Sequence, residues 1–462
     1  MRWLRRGAIA ALIFATCWIG AVWYWRATNR MPATGDVALY FVALPLALVF
    51  VVWLARRLPA LLRSAAAAGP AAAAGATEAA APAEKEQAHA LAIMDAALRL
   101  PHAQSTEELA AALADGSARP ALDAELVDDD GYPVMTARAE APPDPALQAA
   151  CLAWFGQHAL HDIDPTDAQW RALGMASAVV TDVAAAAAMS YGEGAAPMLR
   201  LIALLPVAWP RELQAAATQW LGHVAAQAGW PARQIHLETA ALPAPLPTLL
   251  QRLAEEGASA SPYLALVVAC DSHLAQADVD DWSSAGTLFT SRHPQGLIPG
   301  EGAAALLLVD PASAGSAPHT LLHAPALARL EQSADSARRV DAAPLSALAA
   351  QAIARAGVAA DSVALVVADS RQRDSRVLEA AGAASGTLPH LDAGDDIVHV
   401  GTASGACGTV PLLAALALAH QQALERGAPV LCIGNDDPFY RCAAVVGHAV
   451  FAPQSISSES AR

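Results

Sequence analysis

The side chains that could carry covalent chemistry in this 462-residue chain are six cysteines, at positions 17, 151, 270, 407, 432 and 442. A cysteine acts as a nucleophile only as its thiolate, so its surroundings decide its use. Cys407 sits in Val400-Gly-Thr-Ala-Ser-Gly-Ala-Cys-Gly408, just before an Ala/Leu-rich helical stretch, where a helix N-terminus could lower a thiol pKa. Cys270 closes an apolar strand-like run. For both, the competing reading is a small buried residue, the usual fate of a free cysteine. No CxxC pair occurs, and the five cysteines beyond Cys17 are an odd number, which fits a reducing compartment. His319 and His323 are spaced to share a helix face, but they lack the Glu of a zinc-protease motif and a third ligand. They are read as a surface pair, as are His158 and His161. The acid triplet Asp128–Asp130 precedes Gly-Tyr-Pro, which favours a solvated turn over a calcium loop. No P-loop is present and no GxGxxG follows a strand, so no metal or cofactor is expected.

Positioning such residues requires a scaffold, and strand-like and helix-like segments alternate from about Ala88. Apolar strands are read at 198–205, 234–238, 263–269, 303–309, 363–368, 429–433 and 443–450. Helices are read at 105–115, 212–229, 247–256, 344–356 and 410–426. Strands apolar on both faces imply an α/β fold whose sheet is covered by helices on both sides. The alternation occurs twice, before and after about residue 312. Two such halves in one body are the arrangement of a thiolase-like, duplicated αβαβα fold.

Two blocks carry a resemblance. Val267-Val-Ala-Cys-Asp-Ser272, followed by Gly296-Leu-Ile-Pro-Gly-Glu-Gly-Ala-Ala-Ala-Leu-Leu-Leu308, resembles the late first half of β-ketoacyl synthases. Asp271, Ser272, Gly300, Glu301 and Gly302 carry the match, and the two glycines are read as giving positive φ and close backbone approach. Gly192-Glu-Gly194 is an isolated decoy. The second block, containing Gly401, Gly405 and Gly408 and followed by Val430-Leu-Cys-Ile-Gly-Asn-Asp-Asp437, resembles the synthase segment in which Gly-His precedes a glycine-rich turn and helix. A condensing synthase needs a thiolate to hold the acyl chain and two basic side chains, usually histidines. Carried onto this sequence, the nucleophile position holds Ala241 and the Gly-His histidine is Thr402. The histidine expected after strand 363–368 is replaced by Asp369-Ser370-Arg371. The resemblance therefore implies a pseudoenzyme. The alternative is an acyltransferase using Cys407.

The net charge of −16 conceals a split. Residues 1–63 hold eight arginines and one acid, Asp36, for +7, so the remaining residues together carry −23. Such acidity excludes nucleic acid as the main partner. Gly7–Trp25 and Val37–Ala55 are uncharged apolar runs of 19 residues, each long enough to span a bilayer. Trp3, Trp23, Tyr24, Trp25 and Trp53 lie near their ends, as interface aromatics do. Six arginines outside the runs against two between them place both ends in the cytoplasm. Residues 1–63 thus read as a transmembrane hairpin, 64–87 as a flexible Ala/Pro/Gly tether, 88–312 as the first half with an N-terminal extension, and 313–462 as the second half.

The hydrophobic anchor, Leu100-Pro-His102, Asp128-Asp-Asp-Gly-Tyr-Pro133 and the thiolase-like body together resemble a bacterial family of membrane-anchored proteins. That family includes an adaptor for type VI secretion lipase effectors. The resemblance implies a non-catalytic adaptor at the inner membrane, with its soluble part in the cytoplasm. Its partners would be a secreted lipase effector and a spike protein. Thiolase folds also imply a homodimer through a first-half strand, and an acyl-binding scaffold is a further alternative.

Overall fold

The computed structural model describes residues 89–140, 144–160, 163–191, 197–240, 246–257, 263–336 and 339–448, all within one compact unit. The two apolar runs, the tether, His161, Gly192–Gly194 and Ala241 lie outside the described residues.

Strand formation follows the Val/Leu/Ile/Ala runs. In the first half these are β1 (Ala90–Arg99), β4 (Met198–Leu204), β5 (Ile235–Thr239), β6 (Tyr263–Ser272) and β7 (Glu301–Val309), the last buried along its whole length. In the second half they are β8 (Thr320–His323), β10 (Leu365–Ala368), β11 (Ile397–His399), β12 (Val430–Gly434) and β13 (Tyr440–His448). The spatial order is β5-β4-β6-β7-β1 and then, from the other edge, β11-β10-β12-β13-β8. Each half thus repeats one pattern: three parallel strands, then two antiparallel ones. The halves join where Ala90–Ile93 of β1 pairs with Thr320–His323 of β8. A short strand, β9 (Ala326–Arg329), adds to β13. A separate ribbon of β2 (Ala121–Val127) and β3 (Pro133–Thr136) turns at Asp128–Tyr132, where the Asp128 carboxylate accepts from the Asp130 and Tyr132 amides.

Side-chain alternation along the strands sorts the core into layers. In β4, Leu199, Leu201 and Ala203 face one apolar cluster, together with α2 (Pro145–Gln157), α3 (Asp167–Tyr191) and α4 (Arg211–Gln227). Ile202 and Leu204 face another, built on α5 (Leu246–Gly257) and α10 (Val410–Arg426). Leu365 and Val367 of β10 enter that same central cluster from the second half. Val366 and Ala368 face the third, with α7 (Ala343–Ala356) and α8 (Asp374–Thr387). The order is helix, sheet, helix, sheet, helix: α5 and α10 fill the middle layer. The remaining helices are α1 (Thr106–Asp115), α6 (Gln276–Ser284) and the single turn α9 (Gly401–Ser404). Ser105 caps α1 by accepting from the Glu108 amide at 3.3 Å, and Gly116 ends it in a left-handed conformation.

Three sequence expectations need correcting. The 90–99 segment, read as part of an extension, is β1, the strand shared by both halves. His319 and His323 share no helix face, because Thr320–His323 is a strand, and they are not a surface pair, because His319 is buried. Gly300 and Gly302 are not in positive-φ conformations; their need is close packing alone. Among the described residues one helix, α3, is long and apolar enough to cross a membrane. Its Ala172, Val179, Val180 and Val183 are instead buried in the outer layer of the first half.

Candidate functional site

The two glycine-rich blocks meet. The carbonyl of Ile298 accepts from the Ala406 amide at 2.8 Å, and Pro299 bridges Ala406. A Cβ on Gly300 would overlap the Ser404 carbonyl oxygen and lie 2.8 Å from the Gly405 Cα. Gly405 takes φ +61° and Gly408 φ +58°, which L side chains rarely adopt. A Cβ on Gly401 would overlap the Asp369 carbonyl oxygen, and one on Gly408 would lie 2.6 Å from Asp271 Oδ2. Gly300 and Gly405 therefore let the turns of the two halves touch backbone to backbone, Gly401 packs on the 369–370 backbone of its own half, and Gly408 leaves room for the Asp271 carboxylate.

Glu301, next to Gly300, ties α3 and the 139 segment to the ends of β6 and β7 within the first half. It is fully buried and accepts from Arg171 Nε at 2.7 Å, from Arg171 Nη2, from the Ala139 amide at 2.7 Å and from Ser272 Oγ at 3.3 Å. Asp271, at the end of β6, lies 3.4 Å from His273 Nε2. Burial disfavours charge on this imidazole, but Asp271 and Asp278 overcome it and raise its pKa to about 10.

The ends of β10 and β12 and the start of α10 enclose a cavity of about 450 Å³. Leu246, Leu327, Leu412 and Tyr440 supply apolar wall; Cys407, Asp369, Arg371 and Asp436 supply chemistry. Arg371 Nη2 pairs with Asp436 Oδ2 at 2.5 Å. Asp369 Oδ1 accepts from the Asn435 and Asp436 amides at 2.8 and 3.0 Å. Burial and the neighbouring Asp436 push the Asp369 carboxyl up, against the pull of those amides. Cys407 is almost completely buried, and desolvation followed by the nearby Asp271 charge pushes its thiol well above the ordinary range. Burial therefore disfavours the thiolate, the form in which a cysteine attacks. Cys270 is raised in the same way by burial.

The structure separates other expected positions. Thr402 lines a different cavity, of about 460 Å³, with Gln372 and Ile298, and its hydroxyl donates to the His399 carbonyl at 2.6 Å. His399, adjacent to the turn in sequence, does not line the Cys407 cavity, and burial lowers its pKa to about 4. His158 is exposed and stacks on Trp154 at 4.0 Å. Arg171 carried no weight in the sequence. Its only signal was being the single basic residue of a long apolar helix, where a buried charge requires a partner.

The layer order, the repeated strand order and the interlocked glycine turns define a thiolase-like fold of the ketosynthase type. Solved ketosynthases share it. The chain covers 78% of its length on an oxazolomycin ketosynthase domain from Streptomyces albus, at 13% identity and TM-score 0.55, matching 74% of that domain. A module 6 ketosynthase of the bacillaene synthase from Bacillus subtilis gives 14% identity and TM-score 0.53, with 78% and 72% coverage. The ishigamide ketosynthase/chain length factor gives 17% identity and TM-score 0.52, with 78% and 99% coverage. At these identities the likeness is one of fold. No protein-family model matches the chain, and no curated protein matches it in sequence.

Proposed function

We propose that this ketosynthase-like body is a non-catalytic binding scaffold, acting as a membrane-tethered adaptor. The observation that carries the reading is the setting of Cys407: the thiol nearest the synthase-like turn is buried, and no histidine among the described residues lines its cavity. Asp369 and Thr402, standing where the synthase pattern has histidines, open onto different cavities. The partners, a secreted lipase effector and the spike protein that carries it, are proposed from the family resemblance, as is the inner-membrane location. A second reading, an acyl-binding scaffold, is favoured by the apolar wall of the 450 Å³ cavity, a volume typical of small-molecule sites.

Two measurements test this. Incubation of the full chain with a thiol-directed acyl analogue such as cerulenin, followed by peptide mass spectrometry, is expected to leave Cys407 unmodified. A stoichiometric adduct there would overturn the non-catalytic reading. Affinity purification of the full chain from its native host is expected to recover a lipase and a spike protein. Recovery of acyl-chain enzymes alone would overturn the adaptor reading, and lipid in a native mass spectrum would favour the acyl-binding one.

A further inference from the structure

Away from both cavities, the start of α8 gathers arginines in an unusual way. Arg373 is the residue capping the helix and Arg376 lies in its first turn; both are buried, Arg376 at 1% exposure. The carboxylate paired with both is Asp335, on the loop after β9, which is 42% exposed. Arg373 Nη1 donates to Asp335 Oδ1 at 2.7 Å, and Arg376 Nη2 donates to the same oxygen. The Nε atoms of both arginines are buried with no partner. Arg441 lies nearby, with Nε on Glu379 at 2.6 Å and Nη2 buried and unpaired. The helix N-terminus adds its own positive potential, offset in part by Asp374 in the first turn, and no side chain caps it.

The placement of Asp335 leaves donors unmet. One carboxylate oxygen serves two guanidinium groups, although each guanidinium can make two parallel bonds to an oxyanion. Buried unpaired N–H groups are costly, so the resident carboxylate fits this site imperfectly. A tetrahedral anion offers three or four oxygens in place of two. The loop that brings Asp335 is held to the neighbouring turn by the Leu330 amide on the Phe439 carbonyl at 2.7 Å and the Ala334 amide on the Pro438 carbonyl at 2.8 Å.

We infer that Arg373 and Arg376 form a binding site for a phosphate-class oxyanion, which Asp335 fills in the resting chain. The tethered carboxylate competes at high effective concentration, so an entering anion displaces it and releases the 330–335 loop. The probe is inorganic phosphate, titrated against potassium chloride at equal ionic strength, with the full chain. Asp335→Asn is expected to show a saturable rise in unfolding temperature with phosphate. The wild type should need at least about tenfold more phosphate for the same rise, given the tethered competitor. Adding Arg373→Gln to Asp335→Asn should abolish the rise. No phosphate-specific rise in Asp335→Asn, or equal rises in all three chains, would overturn the site. Should Asp335→Asn not fold, hydrogen exchange on the wild type decides: phosphate should accelerate exchange of the Leu330 and Ala334 amides, and unchanged or slower exchange refutes the inference.

Discussion

Replacing Glu301 by Gln separates a structural motif from a catalytic one. The glutamine keeps size and shape but removes the charge facing Arg171, whose side chain is 9% exposed. It also turns one acceptor oxygen into a donor amide, so at least one of the four donors now at the carboxylate meets another N–H. Breaking one side of a buried, hydrogen-bonded pair leaves an uncompensated charge and costs about 3–5 kcal/mol. Replacing both partners with apolar residues of similar volume, as in Arg171→Met with Glu301→Leu, removes the unpaired charge and should cost far less than the two single changes added together. A coupling of about 2 kcal/mol between them is expected for residues in direct contact. Equilibrium urea unfolding of the full chain, followed by tryptophan fluorescence, measures each corner of the cycle; the buried Trp209, Trp220 and Trp230 report on the same half. The reasoning fails if Glu301→Gln costs under about 1 kcal/mol, well below the buried-pair range, or if the two changes are additive.

Gly300→Ala should cost more than about 4 kcal/mol, because its Cβ meets backbone that cannot rotate away. Gly315→Ala, at φ +66° but facing open space, should cost only about 1 kcal/mol; thermal unfolding of the two variants side by side checks the contrast. His420 contributes to an acid window that His399, lowered likewise to about 4, shares. Burial, then repulsion from the nearby His319, lowers the His420 pKa to about 4, below the 6.5 of the unfolded chain. The unfolded state therefore binds the extra proton first, and stability falls as pH drops from 6.5 to 4, by about 3 kcal/mol from His420 alone. His420→Gln should make that stretch of the stability–pH curve about half as steep, leaving the share of His399; an unchanged slope would refute the assignment.

Much of the fold was legible because its signals are local. The β6–β7 block and α10 follow from unbroken apolar runs, and Val410–Arg426 ends where Gly427 permits the left-handed turn. β1 was missed because its apolar stretch is interrupted by Asp95 and Arg99 and reads as an extension; its long-range partners, β7 and β8, make it a strand. β11 has three residues, too few to show a period. At the site, Glu301 and the glycines were found through motif, but their roles emerged only from contacts distant in sequence: Arg171 and Ala139 for Glu301, and the opposite half for Gly300 and Gly405. The Arg373–Asp335–Arg376 cluster had no sequence signal, since the carboxylate and the arginines lie on separate segments and burial alone gives them meaning.

The position of β1 also has a bearing on how the chain is made. It is the first described strand to leave the ribosome, yet Ala92 pairs with Val309, more than two hundred residues later, and Ile93 with Thr320. At roughly 5–20 residues per second, β1 waits about ten to forty seconds for either neighbour. Throughout that interval both of its edges are open, although α1 and α3, which pack on its faces, emerge earlier; the nascent chain carries an unpaired strand for close to half of its synthesis.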